Sequence, residues 1–271
     1  VALPLQPATW HYGLIARWWA EFNRAEPEEL GFWRSAVRRF GEPALDLGCG
    51  SGRLLIPLRG EGLDVDGCDV SPDMIEFSRR ELLNRHLPTG RLHVQPMHEL
   101  NTPRRYRTIL ICGAFGLGST REQDRESLRR AYRHLKPGGA LVIDLCLPYM
   151  NIGWWNAYPA QQREQLPRPY PDWGEPKTAA NGEQLNLRAR LAAIDPLDQR
   201  ITLEIEARLY RDGAVVQEEH HHLTENEYFK NELALLLELA RFTDIEIVKG
   251  NTDRPPMPDD AYVALIGRKP G

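Results

Sequence analysis

The stretch Ala44-Leu45-Asp46-Leu47-Gly48-Cys49-Gly50-Ser51-Gly52-Arg53 constrains the fold more than any other part of this chain. An apolar run that stops at three alternate glycines and resumes as Leu54-Leu55-Ile56 reads as a buried strand, a tight turn and a helix start. In an open α/β sheet that turn is where a nucleotide-like ligand lies against the backbone. Glycine suits it because the turn demands unusual φ values and the backbone must approach the ligand with no Cβ between them.

Charge and spacing narrow the ligand. A dinucleotide site wants Gly-x-Gly-x-x-Gly, but here the third glycine comes one residue early and Arg53 takes its place. Asp46, just ahead of the glycines, would repel a pyrophosphate and favour a ligand carrying an ammonium and a sulfonium, as S-adenosylmethionine does. A second strand, Leu63 to Asp69, ends in a carboxylate about 20 residues further on, where such folds hold two ribose hydroxyls. Asp69 could instead be a turn residue, yet Ser71 already supplies a helix cap with Pro72 at the first helical position.

Together, Asp46-Leu-Gly-Cys-Gly-Ser-Gly-Arg53, Val65-Asp-Gly-Cys-Asp-Val-Ser-Pro-Asp-Met74 and Leu135-Lys-Pro-Gly-Gly139 resemble the class I S-adenosylmethionine-dependent methyltransferases in order and spacing. The resemblance covers roughly the first 148 residues and, more weakly, the last 40. It implies a Rossmann-like α/β sheet of seven strands with the last reversed, helices on both faces, and S-adenosylhomocysteine as product. It further implies cofactor contacts from Tyr12, Asp46, Gly48, Gly50, Gly52, Arg53, Asp69, Val70, Met97, His98 and Gly113. Tyr12 would reach over the cofactor from the first helix, and Arg53 would pair with its carboxylate or remain a solvated surface arginine. Relatives place an aspartate after the third strand to meet the adenine amino group. This chain has Gln95-Pro96-Met97-His98, so Gln95, His98 or a carbonyl must replace it while Met97 packs on the ring.

Composition supports a globular chain: 271 residues, 42% hydrophobic, suffice for a substantial core. A formal charge of −4 without long basic runs argues against a nucleic-acid partner. Cys49, Cys68, Cys112 and Cys146 lie at or near strand ends with no Cys-x-x-Cys pair, which reads as reduced, buried and cytosolic. No run is apolar and long enough for a membrane span, and no secretory signal pattern opens the chain, so the expectation is a soluble cytoplasmic protein, monomer or homodimer. The chain begins at Val1, and its first eight residues carry no weight in this reading.

In chain order, Trp10 to Phe22 and Pro27 to Phe40 have helical apolar spacing. A fourth strand, Thr108 to Cys112, leads into Gly113-Ala114-Phe115-Gly116-Leu117-Gly118, a loop expected to face the transferring methyl. It carries neither Asn/Asp-Pro-Pro-Tyr nor a Pro-Cys nucleophile, which disfavours a DNA-type reaction. Thr120 and Gln123 form a capping box, and a fifth strand spans Ala140 to Leu145. The aromatic and proline-rich segment from Tyr149 to Trp173 has two possible jobs, covering a sheet face or walling an acceptor pocket, and the second is favoured.

Three alternating runs follow, Gln184 to Ile194, Arg200 to Arg211 and Ala214 to Leu223, with turns at Asp195-Pro196 and Asp212-Gly213. They form an antiparallel meander resembling the cap of amino-sugar N-methyltransferases. A helix from Asn231 and strands at Ile245 to Val248 and Tyr262 to Gly267 then finish the sheet, so residues 149–229 are read as an insertion into a domain of residues 1–148 and 230–271. Phe115, Tyr149 and Trp154 are read as acceptor contacts. In His220-His221-His222, neighbours on a strand point to opposite faces, so His220 and His222 share one. No third ligand accompanies them, so no metal is expected; either could take a proton from the acceptor.

The function expected is methyl transfer to a small-molecule acceptor, with N, O and carboxyl transfer all open. Rival readings are an NAD(P)-dependent oxidoreductase and a non-catalytic cofactor-binding protein, with a protein or RNA acceptor as a lesser variant of the main one.

Overall fold

The run at Ala44 forms a strand whose four residues are all buried. In the computed structural model, which describes residues 9–271, it lies inside a seven-stranded sheet. The chain enters through α1 (Gly13–Phe22) and α2 (Pro27–Phe40) and continues as β1 (Ala44–Leu47), α3 (Leu55–Gly60), β2 (Val65–Asp69) and α4 (Pro72–Asn84). Next come β3 (Leu92–Val94), β4 (Tyr106–Ile111), α5 (Arg121–His134) and β5 (Leu135–Cys146). Short helices α6 (Ile152–Trp155) and α7 (Ala160–Arg163) lead to β6 (Lys177–Thr178), β7 (Gln184–Asp195), β8 (Arg200–Arg211) and β9 (Ala214–Asn226). The main sheet is completed by α8 (Lys230–Leu239), β10 (Thr243–Lys249) and β11 (Tyr262–Arg268).

The order in the main sheet is β10-β11-β5-β4-β1-β2-β3, and β11 alone runs antiparallel to its neighbours. A parallel sheet needs helices on both faces, and the strands are accordingly apolar on both. On one face Leu45, Ile109, Leu141 and Leu265 pack with Leu128 of α5 and Leu233 of α8. On the other, Ala44, Leu110, Val142 and Ala264 meet Trp33, Val37 and Phe40 of α2. The expected caps form: Thr120 and Gln123 make a reciprocal box, and Ser71 Oγ accepts from Met74 N at 3.2 Å. One boundary differs, because β5 starts at Leu135 and runs through the Lys-Pro-Gly-Gly stretch expected as a turn, with Tyr106 pairing with Leu135 across a register shift.

A second sheet, β6-β7-β8-β9, is wholly antiparallel. Its inner face carries Leu185, Ile205, Ala207 and Leu209, which pack on Leu14 and Ile15 of α1. Helix α1, grouped with the main domain by sequence order, thus takes its apolar partner from the cap. The outer face is a ladder of ion pairs, Arg188 with Glu206 at 2.6 Å, Arg190 with Glu204 at 2.6 Å and Arg208 with Glu218 at 2.5 Å. Tyr170 lies over Arg188 and Arg190, and Trp173 over Arg188 and Arg208, with guanidinium carbons 4.1–4.8 Å from the ring centres. Within the aromatic segment, Tyr170 and Trp173 thus clad the outside of the cap rather than wall a pocket.

The two sheets are joined at one seam. Gly118 N donates to Thr224 O at 2.7 Å and Asn226 N to Gly116 O at 3.0 Å, so the loop after β4 is tied to the end of β9. Gly116 is required there: its φ is +85°, and a Cβ would stand 2.8 Å from Asn226 O. Beneath the seam the buried carboxylate of Asp124 accepts from Asn226 Nδ2 and from Tyr228 OH, each at 2.7 Å. Among the described residues no helix is long and apolar enough to cross a membrane. The cysteines are all free, with Cys49 and Cys68 buried as expected but Cys146 exposed.

Candidate active site

Because parallel strands end at one edge, the loops after β1, β2, β4 and β5 converge, and the cap closes over them. Between the two lies a cavity of about 1110 Å³. One end is made by the glycine turn. There Asp69, at the tip of β2, accepts from Gly50 N and from Ser71 N, each at 2.8 Å. Burial raises its pKa, and the surrounding backbone N–H groups oppose that rise. Asp69 is thus a positioned acceptor beside the turn as well as a loop residue. Asp46 is buried at the end of β1, where desolvation pushes its pKa up to about 7 despite Arg53 nearby.

Asp46, Gly48, Gly50, Arg53, Asp69 and Val70 all line this cavity, as do Tyr12, Met97, His98 and Gly113. Gly52 does not; a Cβ on it would stand 2.6 Å from Ile56 Cδ1, so this glycine serves helix packing rather than ligand approach. Arg53 is engaged, pairing with Glu29 of α2 and pointing Nη2 at Cys112 Sγ, 3.2 Å away. In the Gln95–His98 stretch, Gln95 Oε1 accepts from Asn101 N at 2.9 Å, while His98 Nε2 lies 3.2 Å from Gln123 Nε2. Tyr12 caps α1 without a side-chain bond. That helix is pinned from two sides: Gly13 N donates to Asp73 of α4 and Leu14 N to Glu219 of β9, each at 2.8 Å.

The cap end is apolar, with Leu191, Leu203 and Leu223 facing in, and is edged by carboxylates that sequence reasoning did not select. Asp144, at the end of β5, accepts from Gly113 N at 2.6 Å, and burial lifts its pKa to about 6. Glu225 of β9 is lifted to about 7 by burial and by Glu227. Neither sits in a motif, since each is placed by a strand end meeting a distant loop.

Three acceptor-side expectations are corrected. His220 and His222 lie outside the cavity: they pair with Glu206 and Glu204 of the outer ladder, and His220 Nε2 lies 3.1 Å from Tyr170 OH. Parity turns His221 inward instead, where its Nε2 meets Glu219 at 3.1 Å. Tyr149 packs against the main core, and Phe115 stacks on Tyr228 beside a smaller adjoining cavity. Trp154 lines both cavities. Among the described residues no cluster of His, Cys, Asp or Glu could hold a metal ion.

Comparison with known proteins accords with this geometry. Residues 44–139 match the family model described as a methyltransferase domain. Those residues carry a methyltransferase domain. Over 139 residues, 49% of this chain, it is 33% identical to the ubiquinone/menaquinone biosynthesis C-methyltransferase UbiE of Edwardsiella ictaluri, covering 54% of that protein. The chain spans about half the length of the curated relatives it matches. Its fold is shared with the sugar N-methyltransferase KedS8 from a Streptoalloteichus species, at TM-score 0.69 and 18% identity over 100% of this chain and 97% of that one. It is shared also with CalS10, an amino pentose methyltransferase of Micromonospora echinaspora with S-adenosylmethionine bound, at TM-score 0.64 and 15% identity over 95% and 97% of the two chains.

The methyltransferase domain's glycine turn fits that cofactor. Its acids, buried Asp46 and half-buried Asp69, suit a ligand that offers ribose hydroxyls and positive charge, and would disfavour a pyrophosphate.

Proposed function

We propose that this protein transfers a methyl group from S-adenosylmethionine to a nitrogen of a small molecule admitted between the main sheet and the cap. The observation that carries the reading is one continuous cavity running from Asp69 to Leu203 and Glu225, about 1110 Å³. That exceeds the ~300–1,000 Å³ of a site for a single drug-sized ligand, leaving room for cofactor and acceptor together. Residues 1–148 and 230–271 supply the cofactor side, and residues 149–229 supply most of the acceptor side.

When bound, S-adenosylmethionine supplies an electrophilic methyl on a sulfonium. Asp69 would hold the ribose hydroxyls, already oriented by Gly50 N and Ser71 N. Met97 would pack beside the adenine, and Asp46 with Arg53 would face the amino acid end. The cap contributes dryness and orientation: Leu191, Leu203 and Leu223 exclude water, and holding the acceptor in line supplies much of the acceleration in a displacement of this kind. Acidic side chains at the acceptor end favour an amine over a carboxylate acceptor, in keeping with the sugar N-methyltransferase and amino pentose methyltransferase that share the fold.

Calorimetry and thermal melting test the reading. S-adenosylhomocysteine should raise Tm and NADH should not. Asp69→Ala should weaken S-adenosylhomocysteine about tenfold or more, the worth of a charge-assisted hydrogen bond. Equal melting shifts with both ligands, or unchanged affinity in the variant, would refute the proposal.

A further inference from the structure

Among the described residues Glu225 is the one carboxyl of the cap that lines the large cavity, and its position is fixed from both sides. Its strand neighbours are hydrogen-bonded to the loop after β4, Thr224 O by Gly118 N and Asn226 N to Gly116 O, while Leu117 forms a bridge with Glu225 itself. The side chain stands where the large cavity meets the smaller one, a junction it shares with Asp144, Trp154, Leu117 and Tyr262.

Among the described residues Glu227, like Glu225, is without a carboxyl partner, but it lines only the smaller cavity, whereas other acids near the large cavity and the seam have partners. Asp124 is held by Asn226 and Tyr228, Asp144 by Gly113 N, and Asp69 by Gly50 N and Ser71 N. Among the described residues the Glu225 carboxyl makes no hydrogen bond and no ion pair, and burial has raised its pKa to about 7. The titratable groups facing it are Glu227 at the end of its own strand, Asp144 and Cys146 of β5, and Tyr262 of β11; all are acidic. A carboxyl that lines a cavity with only acidic groups around it and no counter-charge is completed by a ligand of opposite charge.

Resting on the methyl-transfer reading above, we propose that Glu225 binds the acceptor's ammonium group and takes a proton from it. An N–H bond of the ammonium breaks and an O–H bond forms on Glu225 Oε. The products are a neutral amine, whose lone pair is free, and a neutral carboxylic acid, so charge balances and no further reactant is needed. The ion pair is the resting bound form, and the apolar surroundings lower the cost of passing to the neutral pair, from which the amine lone pair attacks. Trp154 offers an aromatic wall beside the nitrogen.

The test uses the full-length protein saturated with S-adenosylhomocysteine, with cyclohexylammonium as probe and cyclohexanol as its uncharged counterpart. Wild type should bind cyclohexylammonium more tightly than cyclohexanol. The preference should grow from pH 6 to 8 as the carboxylate forms, since an alkylammonium with a pKa near that of lysine, about 10.4, stays charged throughout. Glu225→Gln should weaken cyclohexylammonium about tenfold or more, flatten its pH dependence, and leave cyclohexanol and S-adenosylhomocysteine within about twofold. Glu227→Gln should retain the pH dependence.

An equal loss for both probes in Glu225→Gln, or no loss for either, overturns the proposal, as does a wild type without the ammonium preference. A measurement on wild type alone guards against a variant that fails to fold: carbon-13 NMR of the Glu225 carboxyl should show its titration midpoint falling when cyclohexylammonium binds, and an unmoved midpoint overturns the assignment. Failure of S-adenosylhomocysteine to bind would sink the methyl-transfer reading and is read separately, by calorimetry without either probe.

Discussion

The main sheet and the cap are both sheets with a helix against them, yet they bury and bind by different rules. In the main sheet every strand between β11 and β2 is covered on both faces, and its ligand groups come from strand tips and the turns that follow. In the cap only the inner face is apolar, while the outer carries Arg–Glu pairs under Tyr170 and Trp173. Its contribution to the cavity comes from mid-strand side chains such as Leu203 and from Glu225 near a strand end. A doubly covered sheet gives a rigid base for the cofactor. A singly covered one can vary its inner residues, and with them the acceptor, without disturbing that base.

The largest effect should separate the two by stability. Ile109 is fully buried in the main core, and Ile109→Ala should cost about 2–5 kcal/mol in urea unfolding. Val215→Ala, on an exposed stretch of β9, should stay within about 0.5 kcal/mol. Comparable losses at both positions would mean that the cap is as tightly integrated as the main sheet.

A smaller effect should appear at the seam. Gly116→Ala forces a Cβ toward Asn226 O at a positive φ, a strain of about 1–3 kcal/mol. Hydrogen exchange should then speed up at Asn226 N and Gly118 N and stay unchanged in β1, because the seam can open without the sheet beneath it. Faster exchange in β1 as well would show that the two regions open as one unit.

The smallest effect should come from outside the cap. Trp173→Ala removes two guanidinium stacking contacts, worth about 0.5–1 kcal/mol each at exposed sites, and should leave S-adenosylhomocysteine affinity unaltered. A tenfold loss of affinity would couple this outer cladding to the cofactor site.

This outcome bears on the insertion itself. Excising residues 151–228 would remove the cap's own strands and also the surface on which Leu14 and Ile15 are buried, and α1 carries Tyr12 into the cavity. A linker in place of the cap is therefore expected to weaken cofactor binding as well as acceptor binding.

Sequence by itself determined what depends on neighbours along the chain. The Gly48–Gly52 turn, the strand endings at Asp46 and Asp69, the caps at Ser71 and Thr120 and the three alternating cap strands are local, because hydrophobic period and capping chemistry act within a few residues. Tertiary structure alone decided which face each alternating strand turns inward. Strand pairing and α1 selected the face with Leu203, Leu223 and Glu225 and sent His220 and His222 outside, since a period of two leaves the choice of side to whatever packs against it. It likewise brought Asp144 and Glu225 to one junction and tied Arg53 to Glu29, pairings between elements far apart in the chain that no local pattern encodes.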